Sequence, residues 1–152
     1  MKIRHANKFD FPEILAMLHR FKMQGPTEIS NGFKNNDHVA TVYAHIMAGR
    51  GLALVAEKDG KLAGMLIGMI DSIIWDPDTR ILREIVYWVD EEYRGSTAGY
   101  RLLAQYVKEA QEMVDEGRIT AYSMVKMTNS PDLKFEKFGF KKTEEVYVAG
   151  LV

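Results

Sequence analysis

The stretch Tyr93–Gly99, YRGSTAG, joins an apolar run to a helical pattern and constrains the fold more than any other segment. The run before it, Ile81–Val89, is rich in β-branched and aromatic residues and suits a central strand. Apolar residues then recur at helical spacing over residues 102–114. A strand that enters a Gly/Ser/Thr turn and then a helix presents free backbone N–H groups at the positive end of the helix dipole. The stretch predicts an anion site, although Ser96 or Thr97 could instead simply cap the helix.

Two common nucleotide signatures do not fit this turn. A Walker-type loop has four residues between its glycines and then Lys-Ser/Thr, whereas three residues separate Gly95 from Gly99 and Tyr100 follows. The GxGxxG pattern of dinucleotide sites is absent here as well, because Ser96 and Thr97 follow Gly95. ATP and NAD are therefore poor candidates for the bound anion.

The remaining patterns predict a regular order of elements around this turn. Asp10 and Glu13 have the spacing of a capping box, and Asp59-Gly60 is a strong signal for a tight hairpin. The loop Lys22–Asp37 is long and polar, so it could form a substrate lid. The predicted order is β-α-α-β-β-β-α-β-α-β, with strands at 2–6, 52–57, 61–70, 81–89, 119–125 and 144–152, and helices at 11–21, 37–49, 102–114 and 130–139.

Composition excludes several classes of protein. The 20 basic and 21 acidic residues give a net charge of −1, so nucleic acid is an unlikely main partner. No cysteine is present, and the four histidines lack a ligand spacing with acidic partners, so no metal site is expected. The N-terminal residues carry no apolar secretory core, and no apolar segment is long enough to cross a bilayer. We expect a single soluble domain over residues 1–152, located in the cytoplasm.

The turn resembles the acyl-CoA loop of the GNAT acetyltransferase superfamily. The family pattern is Arg or Gln, two residues, Gly, one residue, and then Gly or Ala, and residues Arg94–Gly99 fall on it. Downstream, FEKFGF at Phe135–Phe140 resembles the family's Y-x-x-x-G-F segment. The resemblance implies an α/β single-domain GNAT-like fold with a central mixed, mostly antiparallel sheet of six to seven strands and about four helices. It also implies acetyl-CoA as a co-substrate and an N-acetyltransferase activity that moves the acetyl group directly to an amine.

The resemblance further implies where acetyl-CoA would bind. Backbone N–H groups of the loop would hold the pyrophosphate, and the splayed edge of the fourth strand would pair with pantetheine. The backbone N–H of Val89 would face the thioester carbonyl, where negative charge develops during transfer. The implied cofactor-binding residues are Tyr87, Trp88, Val89, Arg94, Gly95, Ser96, Thr97, Ala98, Gly99 and Tyr100.

Two positions depart from the family pattern. Thr97 stands where glycine is usual, and this requires a negative φ, which the first turn of a helix would supply. Its hydroxyl could then bond a phosphate oxygen, and the RGSTAG loop resembles that of phage-encoded members of the family. Phe135 stands where many members have a tyrosine thought to protonate the leaving thiolate. Loss of that acid could cost up to about 10²- to 10⁴-fold in rate.

Catalytic candidates follow from the residue types that remain. Glu84 lies inside an apolar strand, where a carboxylate is costly unless it faces a polar cleft, so it is the candidate base. Strand alternation places Glu84 on the face of Val86 and Trp88 unless a bulge intervenes, and an ion pair with a neighbouring cation is the alternative. For the missing acid, the weak candidates are the hydroxyls of Ser123, Tyr122 and Ser130.

Other functions stay open at this stage. A GNAT-fold module that binds CoA or a protein partner without efficient turnover would also explain Phe135 and Thr97. The acceptor could be an amine-bearing small molecule or a protein. A homodimer could form through the apolar terminal segment at 146–152.

Overall fold

The computed structural model describes residues 1–26 and 35–150. One mixed sheet with strand order β1-β2-β3-β4-β5 runs through this part of the chain, antiparallel except for the parallel pair β4 and β5. The strands are β1 (Lys2–His5), β2 (Gly51–Lys58), β3 (Lys61–Ile73), β4 (Asp76–Val89) and β5 (Ala121–Ser123), and the helices are α1 (Phe11–Met23), α2 (Asn36–His45) and α3 (Ala98–Asp115). Short 3₁₀ turns cover Lys8–Asp10, Glu91–Tyr93 and Phe135–Phe138, and a π turn covers Ile46–Arg50.

Helices cover both faces of the sheet, as the patterns predict for an α/β domain. On one face, α3 buries Leu102, Leu103 and Tyr106 against β2, β3 and β4. On the other face, α1 and α2 bury Ile14 and Tyr43. Residues that alternate along the strands therefore enter different cores.

The N-terminal cap of α1 differs from the predicted capping box. Asn7 caps the 3₁₀ turn that leads into the helix, and the Asp10 side chain accepts from the backbone N–H of Asn7 at 2.8 Å. Arg4 also binds both carboxylate oxygens of Asp10, at 2.8 and 2.9 Å. Glu13 instead accepts from the backbone N–H of Leu62 at 3.0 Å and ties α1 to the sheet. The carboxylates of Asp10 and Glu13 therefore bond to different partners and do not form the predicted capping box together.

The predicted hairpin between β2 and β3 is confirmed. Asp59 and Gly60 have φ values of 52° and 76°, the positive values that this tight turn requires. The second helix, predicted within 37–49, begins at Asn36 and ends at His45; its cap is Asn35, whose side chain accepts from the backbone N–H of His38. Gly49 adopts a φ of 100° inside the π turn that follows this helix.

The predicted counts of six to seven strands and about four helices were wrong for the residues that the structure describes, which form five strands and three helices. Over residues 130–139 the chain makes only the short 3₁₀ turn, because Lys134 adopts a left-handed φ of 50° and interrupts a continuous helix. Residues 144–150 form no strand and are exposed throughout. A strand needs a neighbouring edge, and β5, which is next to this segment in the chain, is only three residues long.

Two further expectations are only partly visible. The central part of the predicted lid, residues 27–34, lies outside the described residues, as does the end of the predicted last strand. Across the part of the chain that the structure covers, no helix is both long and apolar enough to span a bilayer.

Candidate acyl-CoA and acetyl-transfer site

The fork between β4 and β5 defines the candidate site. The two strands pair only from Ile81–Arg83 to Ala121–Ser123, and then they separate. Over residues 84–89, β4 keeps its pairing with β3 but has no strand on its other side within the described chain. The backbone groups of this stretch that do not bond to β3 therefore form an open edge for a ligand.

The direction of the Val89 amide follows from the pairing of β3 with β4. The backbone N–H of Asp90 donates to the carbonyl of Ala63 at 2.8 Å, so these two residues form a hydrogen-bonded pair. Such pairs alternate with non-hydrogen-bonded pairs along an antiparallel ladder. Val89, which pairs with Gly64, is therefore a non-hydrogen-bonded position. Its N–H and carbonyl point away from β3 and toward the open edge, as do those of Tyr87 two residues before it, whereas the residue between them bonds to β3.

A bulge decides which face carries Glu84. The register passes from Ile67 opposite Val86 to Gly68 opposite Glu84, so Ile85 is the extra residue on β4. Unbroken alternation would place Glu84 with Val86 and Trp88, but the bulge that the sequence left open is present and turns Glu84 to the other face. Val86 and Trp88 enter the α1/α2 core, whereas Tyr87 and Val89 pack on the α3 core. Since Glu84 lies opposite Gly68 on the α3 side, it shares a face with the two residues that line the open edge.

Burial strongly affects the acid–base behaviour of Glu84. The residue is only 9% exposed, and its Oε2 accepts from the backbone N–H of Val125 at 3.1 Å. Desolvation disfavours the ionised form and raises the pKa of Glu84 to about 7, although the bond from Val125 opposes the rise. A carboxylate with a pKa near neutrality can both take up and release a proton at physiological pH, as a general base must. The alternative of an ion pair with Arg83 is not observed, since no salt bridge of Glu84 is present among the described residues.

The turn before α3 keeps several backbone donors free. Arg94 and Ser96 donate their N–H groups to Glu91 and Tyr93 within the turn, and that of Ala98 goes to the Ser96 hydroxyl. In contrast, four amides have no acceptor anywhere in the described chain, and they belong to Gly95, Thr97, Gly99 and Tyr100. Two of them lie in the first turn of α3, at the positive end of the helix dipole. This set of donors suits a phosphate better than a purely structural turn.

Thr97 fits its position in the way the sequence required. Its φ is −83°, so a β-branched residue is accommodated without strain, while Gly95 takes the positive φ of 87°. The Thr97 side chain makes no capping hydrogen bond to α3. Its hydroxyl is therefore left for another acceptor or donor, and the simple capping role is filled by Ser96 instead.

Contacts between the turn and β4 hold the two halves of the site together. The hydroxyl of Tyr87 donates to the carbonyl of Gly99. A Cβ at Gly99 would lie 3.3 Å from that hydroxyl and 3.6 Å from Val89. Ala98 is completely buried beneath the turn. A side chain larger than a methyl group at position 99 would crowd the contact between the phosphate-binding turn and the open edge.

The side chains of Arg94 and Trp88 make contacts within the protein. The Trp88 side chain is buried in the α1/α2 core, and its Nε1 donates to Asp90 at 2.7 Å, so only its backbone is near the open edge. The Arg94 guanidinium lies 4.5 Å from the Trp88 ring centroid. Its Nε donates to the Val89 carbonyl at 2.9 Å, and its NH2 group donates to Gln24 at 3.2 Å. Arg94 thus occupies one of the two polar groups that Val89 presents to the open edge, a contact that the motif did not reveal.

The candidate acids differ in their positions and contacts relative to the fork. Ser123 pairs with Arg83 at the last paired position, immediately before the strands separate. The Tyr122 hydroxyl is directed to Gln111, at 3.1 Å. Phe135 packs against the α3 core and contacts Phe140 with ring centroids 5.8 Å apart. Position 135 therefore supplies apolar packing and no proton.

The fold and this site define a class of protein in which two strands of a mixed sheet separate into a fork beside an anion-binding turn. A family model described as "Acetyltransferase (GNAT) family" matches residues 16–140. The chain belongs to that family, and the resemblance seen in the sequence is confirmed. A search of curated protein sequences found no match.

Solved structures show the same fold over almost the whole chain. An acetyltransferase from Trypanosoma brucei has a TM-score of 0.69 at 17% identity, with 99% of each chain covered. A predicted acetyltransferase from Clostridium acetobutylicum, solved with acetyl-CoA, has a TM-score of 0.70 at 16% identity, covering 99% of this chain and 96% of the other. Glucosamine-6-phosphate N-acetyltransferase from Arabidopsis thaliana gives 0.68 at 15% identity, with coverages of 99% and 98%. At these identities the likeness establishes the fold.

Proposed function

We propose that this protein is an N-acetyltransferase that moves the acetyl group of acetyl-CoA directly to an amine. The observation that carries the proposal is the open edge of β4 at Val89 beside the four free amides of the turn. The backbone of Tyr87 and Val89 would pair with the pantetheine amides, and the turn would hold the pyrophosphate. Membership of the family and a similar structure solved with acetyl-CoA support this ligand.

In the proposed reaction, the amine attacks the thioester carbonyl while Glu84 accepts the proton that the amine must lose. The outward N–H of Val89 stabilises the negative charge that develops on the carbonyl oxygen. The carbon–sulfur bond then breaks, and the thiolate leaves. Thiols have a reference pKa near ~8.5, so the thiolate can leave unprotonated and take its proton from water or from Ser123. No cysteine is present in the sequence to form an acyl-thiol enzyme intermediate.

A second candidate is a family member that binds CoA, or a protein partner, with little turnover. The lack of a hydroxyl at Phe135 favours it, because the usual proton donor for the thiolate is missing. Under either function, we propose a cytoplasmic protein with no membrane or nucleic-acid partner. The exposed apolar residues Val146 and Tyr147 make a homodimer through the C-terminal segment a reasonable further proposal.

Thermal unfolding with added ligands separates these candidates. Acetyl-CoA, CoA, ATP and NAD are added separately to the purified protein. Ligand at about a hundred times its dissociation constant stabilises a protein by roughly 2.7 kcal/mol, a shift of several degrees. Shifts with the two CoA species alone support the site, and acetyl transfer to a panel of amines then distinguishes the enzyme from the binding module. Absence of any shift would reject both and leave a protein-interaction role.

The role of Glu84 has its own kinetic test. Glu84→Gln is expected to lower acetyl transfer more at neutral pH than at high pH, because at high pH the amine is already neutral and hydroxide can take up the proton released on attack. Equal loss at both pH values would reject Glu84 as the base.

A further inference from the structure

The hydroxyl of Tyr106 is a buried polar group with an unmet hydrogen bond. Tyr106 lies in the middle of α3 and is completely buried. Its Oη is the one fully enclosed side-chain polar atom without a partner in the described part of the chain. Native structures rarely leave such a group unpaired, because desolvation without a replacement bond is costly. A hydrogen-bond partner close to the Tyr106 hydroxyl is therefore expected.

The surroundings of the hydroxyl point to Glu84. A Cβ built on Gly68 would lie 2.1 Å from the Tyr106 Oη, so the hydroxyl occupies the space that a side chain at position 68 would fill. Gly68 pairs directly with Glu84 across the bulge. Opposite residues in an antiparallel pair project from the same face, with Cβ atoms about 4.5–5.5 Å apart. The Tyr106 hydroxyl consequently lies beside the base of the Glu84 side chain.

Glu84 has an oxygen free to accept from such a donor. Its Oε2 takes the backbone N–H of Val125, while its other oxygen has no partner among the residues of the described chain. Burial and, to a smaller extent, the negative charge of Glu84 raise the pKa of two neighbouring tyrosines, Tyr87 and Tyr106. The proton of Tyr87 is already donated to Gly99. Glu84 forms no salt bridge among the described residues, and the Tyr106 hydroxyl is a nearby donor without a partner.

We propose that Tyr106 is a positioning residue that donates a hydrogen bond to Glu84, after a side-chain rotation or through one water, and so sets its proton affinity. This inference rests on the proposed role of Glu84 as the base. A donor to a carboxylate favours the ionised form. The bond would offset part of the burial and keep Glu84 able to accept a proton at neutral pH. The glycine at position 68 provides the space in which the hydroxyl can reach the carboxylate.

Direct titration of Glu84 tests the proposal without relying on enzyme activity. The side-chain carboxyl carbon is followed by NMR against pH in the parent protein and in Tyr106→Phe, with Glu84→Gln used to assign the signal. Removing the donor should raise the titration midpoint by about one pH unit, because a hydrogen bond to a charged group has roughly that strength. Tyr43→Phe is the matched control, since this buried tyrosine donates to Asn7 in the other core. It should leave the Glu84 midpoint unchanged.

A second variant covers the case in which Tyr106→Phe does not fold. Gly68→Ala places a methyl group where the hydroxyl lies and should displace it, raising the Glu84 midpoint in the same direction. Gly68→Ala should also destabilise the parent protein more than it destabilises the Tyr106→Phe protein, because the clash with the Tyr106 hydroxyl is absent from the latter. An unmoved midpoint in both variants would overturn the proposal and leave Tyr106 as a packing residue only.

Kinetics give the functional consequence. In Tyr106→Phe, the acid limb of the pH–rate profile should move upward with the Glu84 midpoint, and kcat below that midpoint should fall by about tenfold. The KM for acetyl-CoA should stay unchanged, because the turn and the open edge are intact. If neither the parent protein nor its variants transfer acetyl groups, the proposed function fails. The titration still decides whether Tyr106 acts on Glu84. A shifted midpoint with an unshifted pH–rate profile would retain the bond and reject Glu84 as the base.

Discussion

Replacing Glu84 with glutamine should stabilise the folded protein at neutral and alkaline pH and leave its stability unchanged at acidic pH. The reason is the cost of holding an ionised carboxylate in a site that is 9% exposed. Glutamine has nearly the same shape, carries no charge, and can still accept from the backbone N–H of Val125. The substitution therefore removes the charge while keeping the packing.

The magnitude follows from the pKa of Glu84, which burial raises from 4.5 to about 7. Each pH unit of that interval corresponds to about 1.36 kcal/mol, so ionisation costs the folded state about 3 kcal/mol. Below pH 4.5, the carboxyl is protonated in both the folded and the unfolded state, and no cost arises. As the pH rises to about 7, the folded state holds more protons than the unfolded state, so stability falls. Above that pH the full cost is present.

The assay is urea unfolding of both proteins at closely spaced pH values from about 4 to 9. The difference in the free energy of unfolding between Glu84→Gln and the parent should be near zero at the acid end. It should grow to about 3 kcal/mol above neutrality, equivalent to a rise of roughly 6–12 °C in Tm for a domain of this size. The exposed Glu144→Gln serves as the control and should show no comparable gain. A difference that stays constant across the pH range would refute the reasoning from burial.

Three further substitutions test other contacts. Gly99→Val should abolish CoA binding while the fold is retained, because its Cβ would meet the β4 side of the turn at 3.3 Å; an unchanged Kd would remove the phosphate-turn assignment. Arg94→Ala releases the Val89 carbonyl, so acetyl-pantetheine, which lacks the nucleotide phosphates, should bind about fivefold more tightly in equilibrium titrations. Weaker binding would show that Arg94 does not compete for this carbonyl. Asp10→Ala should cost about 2 kcal/mol at pH 7 through the lost cap and the lost ion pair with Arg4, which keeps its bond to Glu57. The Arg4 guanidinium lowers the pKa of Asp10, so this loss should shrink as urea unfolding is repeated below about pH 4, and a constant loss would contradict the ion pair.

Local sequence determined those parts of the site that depend on a few adjacent residues. The positive φ of Gly60 and the tight hairpin follow from backbone sterics alone. The turn before α3 and the negative φ of Thr97 follow from the change of a strand pattern into a helix pattern. The resemblance carried by Arg94–Gly99 together with Phe135–Phe140 identified the family, which the match over residues 16–140 confirms.

Tertiary structure decided how those parts face one another. The bulge at Ile85 depends on how β3 and β4 pair, and it turns Glu84 from one core to the other. The same pairing determines that Val89 directs its N–H to the open edge. Whether the terminal segment 144–150 becomes a strand depends on the strand edge available to it, and the three-residue β5 offers only a short edge. The sequence by itself therefore determined the elements, the turn chemistry and the family, because each depends on neighbours along the chain. Only the tertiary structure decided the face of Glu84, the direction of Val89 and the neighbour of Tyr106, because each depends on pairing between residues far apart in sequence.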